Sequence, residues 1–437
     1  MFCLRFGFLL LLLGAPALAR DYFVAPRGDN TADGLTPATA LKTFAAVAPR
    51  LRPGDVLRLQ RGGVWTETLR LTVNGEPKRP IRITAYGSGD PPTIDAAGTL
   101  DICIDASASF NSIDSLRVKH ASATNRGAIT VWAHNDIAGL SIEGCEIVDN
   151  AGRGIWIAGE EGRQVGWVFI HDNTISRNAG CGVLATKLNV GWIVDNNLAG
   201  NCGKTVDPWQ AAIRVWSSDV RQLYIANNQI DNGLHGLEKG SGMGIHVDET
   251  ADGVCVVDND IRHCDASGIE IENTRGVMVS DNVIADVDTG VFVYRAGHDH
   301  RIEHNTVLTR SLGIVLQGWL AHGVDAGPEI RVDGQLLTNN TVTANIAIAD
   351  RWAGLKLVGG GEQLDGPHAN LVSNNALGPE RPELVELGDR HLDTYSGSPA
   401  LKIEKKFTIL PPFGNLDAGD LHLPSDWAGF GARHFKR

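Results

Sequence analysis

Two consecutive stretches, VCVVDNDIRHCDASGIEIENT (254–274) and VMVSDNVIADVDTGVFVYR (277–295), share one pattern and decide the fold. Each has a short apolar run, an Asn turn with an apolar residue two positions further on, a polar loop, a Gly, and a second run in which apolar and other residues alternate. Alternation with a period of two is typical of β-strands. The stretches therefore predict a two-strand unit that recurs about every 23 residues.

The same unit recurs along most of the chain. An Asn occupies the turn position in most units, and Cys145 takes that position in an earlier one. Since Asn tolerates left-handed backbone and hydrogen-bonds neighbouring main chain, we expect these side chains to stack into a ladder. The predicted ladder consists of Asn173, Asn196, Asn228, Asn259, Asn282, Asn305, Asn340 and Asn375.

One such unit cannot bury its apolar side alone. Units that stack strand on strand, about 4.8 Å apart, share a continuous interior. Leucine-rich repeats need Leu at fixed positions in shorter units, and propellers need four strands per blade, so neither pattern fits. Although 437 residues usually indicate several domains, the repeat predicts an all-β solenoid in one domain.

The repeats resemble the pectate-lyase-like superfamily of right-handed parallel β-helices. The segment YFVAPRGDNTADGLTPATALKTFAAVAPRLRPGDVLRLQRGG (22–63) is similar to the start of many exported members. Within it, Thr36-Pro37 predicts the start of a helix that runs through Val47 and caps the N-terminal end of the solenoid. The resemblance implies a single right-handed parallel β-helix with this short capping helix and an irregular C-terminal cap.

The first residues, MFCLRFGFLLLLLGAPALA (1–19), form a secretory signal pattern, with Arg5 before the apolar stretch and Ala17-Leu18-Ala19 as the cleavage site. We therefore expect a secreted or periplasmic protein without a membrane span. The predicted divisions are the signal peptide (1–19), an N-terminal cap segment (20–60), the β-helix (61–378) and a C-terminal cap (379–437).

The charge and the cysteines exclude some classes of partner. A net charge of −12 disfavours nucleic acid, which needs a basic surface. The six cysteines after the signal show no CxxC pair, so we expect most of them to be buried as small apolar residues. We expect a monomer.

The outward positions of the second strand in each unit contain the candidate functional residues. Aligning these strands on their apolar positions places the intervening residues in columns that face solvent. The first column reads Trp156, Leu184, Arg214, His246, Glu270, Phe292 and Val315. The second reads Ala158, Thr186, Trp216, Asp248, Glu272, Tyr294 and Gln317, and the third reads Lys187, Ser217, Glu249, Asn273, Arg295 and Gly318.

The middle of these columns is crowded with charge. Asp248, Glu270 and Glu272 lie on adjacent predicted strands, where like charges raise a carboxyl pKa or attract a cation. Three carboxylates on a rigid face suit Ca²⁺, which binds oxygen ligands. We assign these three residues to a metal site and assign Trp156, Lys187, Trp216, Phe292 and Gln317 to substrate binding. Insertions near 205–210 and 234–241 would flank the patch.

The patch is similar to the alginate lyase and chondroitinase B branch of the superfamily. IEIENT (269–274) supplies two metal-binding acids, and YRAG (294–297) supplies an Arg one coil later. The Lys that the branch has shortly after its acids is absent here. The resemblance implies C5-proton abstraction from an anionic, uronic-acid-containing polysaccharide, by a lyase or an epimerase. His246 or Arg295 would be the base, Tyr294 the proton donor, and Arg214 a group that helps to neutralise the substrate.

Two other functions and one structural explanation remain open at this stage. A glycoside hydrolase needs only two carboxylates, one with a raised pKa and one that activates water. A non-catalytic carbohydrate-binding solenoid would use the aromatic residues as stacking platforms. The charges can also be no more than the ion-paired outer face of a soluble protein. Acids that stack beside acids are unfavourable for stability alone, and they favour a functional site.

Overall fold

The computed structural model describes residues 19–203, 209–216, 220–234, 242–249, 253–318, 337–358 and 370–378. The predicted signal peptide and C-terminal cap, and most of the predicted insertions, lie outside these residues. The helical elements of the described part are a 3₁₀ turn at Pro37–Thr39, α1 at Phe44–Val47 and a 3₁₀ turn at Ala48–Arg50.

All other regular elements of the described residues are strands. In chain order they are β1 Asp21–Val24, β2 Val56–Gln60, β3 Val64–Trp65, β4 Leu69–Arg70, β5 Ile81–Tyr86, β6 Thr93–Asp95, β7 Ile104–Asp105, β8 Asn111–Asp114, β9 Arg117–Lys119, β10 Gly127–Ala133, β11 Ile137–Glu143, β12 Glu146–Val148, β13 Arg153–Gly159, β14 Val165–His171, β15 Thr174–Ser176, β16 Val183–Ala185, β17 Leu188–Val194, β18 Asn197–Ala199, β19 Ala211–Trp216, β20 Gln222–Ala226, β21 Gln229–Asp231, β22 Met243–Asp248, β23 Val254–Val257, β24 Asp260–Arg262, β25 Ser267–Arg275, β26 Met278–Ser280, β27 Val283–His298, β28 Arg301–Glu303, β29 Thr306–Gly318, β30 Leu337–Thr338, β31 Thr341–Thr343, β32 Ile346–Ala349, β33 Ala353–Val358, β34 Leu371–Ser373 and β35 Ala376–Gly378.

The strands form three parallel faces around one axis. Face 1 has the order β1-β2-β5-β8-β11-β14-β17-β20-β23-β26-β28-β31-β34. Face 2 contains β3, β6, β9, β12, β15, β18, β21, β24, β32 and β35, and face 3 contains β4, β7, β10, β13, β16, β19, β22, β25 and β33. The long strands β27 and β29 cross from face 2 to face 3. The predicted architecture, a single right-handed parallel β-helix, is confirmed.

The inward residues of successive coils stack into one core. On face 3, Ile213, Ile245, Ile269, Val291 and Ile314 are register partners in turn. All are fully buried members of a single hydrophobic cluster that extends through the molecule. Burial of this shared interior stabilises coils that could not fold alone.

An Asn ladder runs along the turn between faces 1 and 2, as predicted. Each side-chain amide donates to the Oδ1 of the next Asn at 2.9–3.0 Å, and the backbone amide of Cys145 donates to Asn173 at the start. One prediction was wrong, because Asn345 occupies the ladder position that was predicted for Asn340. Asn340 belongs to the turn between faces 3 and 1, where it pairs with Asn370. The longer interval before this coil caused the error.

A further ladder, which the sequence analysis missed, follows the turn between faces 2 and 3. Its members are Asn150, Asn178 and Asn201, linked at 2.7 and 2.9 Å. Asn residues therefore stack in all three turns of the described coils, and they satisfy buried backbone groups that the strands leave unpaired.

The predicted capping helix was wrong in its extent. Its middle is extended, because the backbone of Leu41 pairs with β1 through Phe23 and Ala25, both at 2.8 Å. The helix is therefore divided into a 3₁₀ turn and the short α1. Its apolar positions Leu41, Phe44 and Val47 are nevertheless buried in the core. Within the predicted cap segment, β1 and β2 are the first two strands of face 1.

Two further predictions concern the state of the cysteines and the lack of a membrane span. Cys103, Cys145, Cys181, Cys202, Cys255 and Cys264 are free and buried, which confirms that they pack as small apolar residues. Among the described residues, no helix has the length and apolar character needed to cross a membrane.

Removal of a ladder side chain should destabilise the protein strongly. Asn259 donates to Ile225, Val257 and Asn282 and accepts from Asn228, so Asn259→Ala leaves several buried groups without partners. We expect a loss of ~3 kcal/mol or more in the free energy of unfolding, measured by urea denaturation. Gln229→Ala, on the exposed side of the adjacent strand, is the control and should change stability by less than about 0.5 kcal/mol. Equal effects of the two variants would contradict a structural role for the ladder.

Candidate functional site

The register of face 3 places the candidate residues in the predicted columns. Arg214, His246, Glu270 and Phe292 are partners on successive strands. Trp216, Asp248, Glu272, Tyr294 and Gln317 form the second column in the same way. These residues alternate with the core residues, so they point away from the interior.

Pointing outward does not expose most of the charged residues. Arg214 and Asp248 are 8% exposed, Glu270 and Glu272 are 3% exposed, and His246 is fully buried. The prediction that these five face solvent was therefore wrong. Strands about 4.8 Å apart bring long side chains of adjacent coils into contact, and the stacked groups screen one another from water.

The residues at the edge of this charged cluster, its rim, are more exposed to solvent. Trp216 is 44% exposed, and Phe292, Tyr294 and Gln317 are half-buried. The Arg295 side chain is 34% exposed. These residues are the ones that a polymer outside the helix can contact directly.

Ion pairs connect residues of neighbouring columns. Arg214 lies 3.4 Å from Asp248, and Arg295 Nη1 lies 2.8 Å from Glu272 Oε1. The Arg295 guanidinium also lies over the Tyr294 ring, 5.5 Å from its centroid, and Arg214 lies over Trp216 at the same distance. Both arginines therefore join an acid to an aromatic residue of the rim.

Burial raises the pKa of two carboxyl groups of the cluster. Desolvation raises the pKa of Asp248 to about 6; Glu272 and Glu249 add to the rise, and His246 and Arg214 oppose it. Desolvation also raises the pKa of Glu270, while His246 and the Ser267 hydroxyl, which donates to Glu270 Oε2 at 2.9 Å, act in the opposite direction. Raised carboxyl pKa values in a cluster are a feature of functional sites.

Three ligand-type side chains converge within this cluster. One ligand atom each from His246, Glu270 and Glu272 lies within 4.8 Å of the others. His246 Nε2 is 3.4 Å from Glu272 Oε2. The metal set predicted from the sequence had Asp248 in place of His246, whereas the structure places Asp248 against Arg214.

The third column marks a bend in the backbone. Glu249, Asn273 and Arg295 all have positive φ angles, of 49°, 49° and 67°. Non-glycine residues adopt this conformation rarely, and it is often found at functional sites. At Asn273 the register between β25 and β27 shifts, which is a β-bulge. Ser217 of this column lies outside the described residues.

Trp156 and Lys187 lie further along face 3. Trp156 is three strands before His246, or about 14 Å at the usual spacing, and the half-buried Lys187 follows β16, two strands before His246. The Trp156 ring packs against Trp132 at 5.3 Å, with the guanidinium of Arg153 over it at 5.5 Å. Both residues therefore lie outside the charged cluster.

The sequence analysis missed three contacts of the site. Trp132 belongs to the strand pattern GAITVWA (127–133), one coil before Trp156, so alignment of one more coil would have found it. Ser267 has the parity of inward residues, and no sequence signal places its hydroxyl on Glu270. The bond from Trp216 Nε1 to Glu249 Oε2, at 2.6 Å, also joins two residues that the alignment left apart.

Comparison with known proteins identifies the family. The family model described as "Right handed beta helix region" matches residues 103–230 and 211–379. The chain belongs to this family. No curated protein matches the sequence.

Several solved structures share the fold. The native GH136 lacto-N-biosidase from Eubacterium ramulus is 15% identical with a TM-score of 0.58, and the match covers 81% of this chain and 68% of that one. The complex of XylC with xylose is 12% identical with a TM-score of 0.53, covering 82% and 83%. At these identities the likeness shows the fold alone.

Asp248→Asn should stabilise the metal-free protein at neutral pH. The folded-state pKa, about 6, lies above the ordinary value of 3.8, so this carboxyl lowers the stability progressively as the pH rises from about 4 to about 6, and the full cost is present above pH 6. We expect the variant to gain about 1–3 kcal/mol at pH 8 and the gain to vanish near pH 4, measured by urea denaturation with a chelator present. The exposed Asp101→Asn is the control and should show no such dependence. A gain in stability that does not depend on pH would contradict the raised pKa of Asp248.

Proposed function

We propose that this protein is an exported polysaccharide lyase that cleaves a uronic-acid-containing polymer by β-elimination. The observation that supports it is the arrangement of Tyr294 and Arg295, which are partly exposed directly beside the buried acids. A hydroxyl that can carry a proton and a cation that can bind a carboxylate then lie next to each other at the open rim.

The reaction removes the C5 proton of the uronate, breaks the C4–O bond, forms a C4–C5 double bond and protonates the leaving oxygen. Neutralisation of the uronate carboxylate acidifies the C5 proton. Arg295 would bind that carboxylate, and Tyr294 would donate its hydroxyl proton to the leaving oxygen while its oxygen takes the C5 proton. An epimerase would instead return the proton to the opposite side of C5.

Buried residues would position these two groups. Glu272 holds the Arg295 guanidinium through the 2.8 Å ion pair. Arg214, paired with Asp248, supports Trp216, whose exposed ring suits the face of a sugar. Full burial of His246 leaves it no surface for the substrate, so the proposal does not use it as the base.

A cation fits the interior of the cluster. A ring nitrogen of His246 and the converging oxygens of Glu270 and Glu272 would hold it, and when bound it would supply positive charge for the uronate carboxylate. Phe292 and Gln317 would line the adjacent subsite. Lys187 and Trp156 would contact sugar units further along face 3.

Tyr294→Phe should abolish elimination without abolishing binding. Since only the proton-carrying hydroxyl is lost, we expect kcat to fall by about 10²-fold or more while the affinity for the polymer changes little. The measurement is the ultraviolet absorbance of the unsaturated uronate on a panel of uronic-acid polysaccharides. Tyr86→Phe, on face 1, is the matched control, because that hydroxyl makes no hydrogen bond to the part of the chain that the structure describes. A wild-type protein that gives no such absorbance on any uronate polymer contradicts the proposal.

A glycoside hydrolase is the second candidate, and a different observation favours it. Asp248, with a pKa raised to about 6, is the register partner of Glu272, which is ion-paired with Arg295. An acid with a raised pKa beside a second carboxyl group is the pair that glycoside hydrolysis needs.

New reducing ends without ultraviolet absorbance would identify the hydrolase. In that case Asp248→Asn should reduce kcat by about 10²-fold or more, since it removes the proton donor. Binding of a polymer with no product in either assay would leave a carbohydrate-binding solenoid and exclude both enzymes.

A further inference from the structure

His246 is the least satisfied polar side chain of the site. It is fully buried, and neither ring nitrogen makes a hydrogen bond to any residue that the structure describes. A buried imidazole without partners forfeits the hydrogen bonds that it makes with water in the unfolded chain. Such a group is therefore expected to have a partner other than the residues that the structure describes.

The two acids beside His246 each have one engaged oxygen. Ser267 donates to Glu270 Oε2 at 2.9 Å, and Arg295 Nη1 is ion-paired with Glu272 Oε1 at 2.8 Å. The other oxygen of Glu272, Oε2, faces His246 Nε2 at 3.4 Å. Groups that hold metal-ligating carboxylates by one oxygen are typical of the outer shell of a metal site.

The charge of the cluster leaves room for a cation. Asp248, Glu270 and Glu272 oppose Arg214 and Arg295, so the five ionisable partners sum to −1 when the acids are ionised and His246 is neutral. Buried carboxylates repel one another at this separation, and a divalent ion between two of them relieves the repulsion.

We propose that His246, Glu270 and Glu272 bind a divalent transition-metal ion, such as Zn²⁺ or Mn²⁺, through one imidazole nitrogen and one oxygen of each carboxylate. Their ligand atoms already lie within 4.8 Å of one another. Ca²⁺ prefers oxygen ligands only, and an imidazole nitrogen shifts the preference to transition metals. The inference deepens the proposed function and rests on it for the ion's role, but the ion's binding stands on this geometry.

The test measures binding to the full chain rather than activity. The chelator-treated protein is titrated with Zn²⁺, Mn²⁺ and Ca²⁺ by calorimetry, and Mn²⁺ or Cu²⁺ is examined by electron paramagnetic resonance for coupling to an imidazole nitrogen. We expect one transition-metal ion per chain, bound at least about tenfold more tightly than Ca²⁺, with nitrogen coupling present.

His246→Gln should lower the affinity for Zn²⁺ by at least about 10²-fold and remove the nitrogen coupling, since it deletes the only nitrogen ligand of the set. His263→Gln, an exposed histidine paired with Asp231 on face 2, is the matched control and should bind as the wild type does. Glu270→Gln gives a second variant with a similar shape, and thermal melts establish that both site variants are folded.

Three results would overturn the inference. They are Ca²⁺ binding as tight as Zn²⁺ binding, wild-type affinity in the folded His246→Gln variant, and no nitrogen coupling. Failure of the metal site and failure of the proposed lyase activity give different results. A protein that binds Zn²⁺ but forms no unsaturated product retains the metal site and loses the lyase, and elimination that persists in the metal-free protein does the reverse.

Discussion

Hydrogen bonding between parallel strands fixes the coils about 4.8 Å apart, and the rest of the molecule depends on that spacing. It brings Ile213, Ile245 and Ile269 into one column of the core. It also lets each Asn side chain reach the next, so that Asn228, Asn259 and Asn282 link at 2.9 Å. The same spacing on the outside forces His246 against Glu270 and Asp248 against Glu272. The core and the candidate site are therefore two results of one geometric constraint.

Close contact between adjacent coils has opposite energetic effects in the core and in the candidate site. Apolar side chains gain from contact, whereas stacked acids repel and lose water. Here Arg214 and Arg295 offset part of that cost, each through an ion pair with one acid. Among the described residues, only the Ser267 hydroxyl donates a hydrogen bond to the Glu270 carboxyl, and the pKa of Glu270 is raised. A cluster with this imbalance is costly for stability, which is a reason to attribute it to chemistry.

Much of the fold could be predicted from the sequence, because it depends on local periodicity. Alternation along each strand gave the correct columns on face 3. The cysteines are free and buried, as expected from the lack of a CxxC pair. The errors came from long-range effects. Asn340 was misassigned because a longer interval precedes its coil, and the capping helix was interrupted because Leu41 pairs with β1. Neither effect has a signal within a window of a few residues.

The outward columns of the candidate site were predictable, but the contacts of their residues were not. Parity identifies which residues point outward, but it does not say how deeply they are buried, as His246 shows. Nor does it reveal that Arg295 bends back to Glu272 from a left-handed backbone position. Burial and ion pairing depend on side chains from several coils at once, so they appear only when the coils are assembled.

Alternation on face 3 assigns stability and reactivity to different residues of the same strand. In β25, Ile269 and Ile271 pack inward while Glu270 and Glu272 point outward. Substitution at the outward positions can change the chemistry of a coil without altering the interior that holds it to its neighbours. A solenoid of this kind can therefore acquire a new reaction through a few changes in one or two coils, and evolution can vary its specificity along the axis while the architecture stays the same.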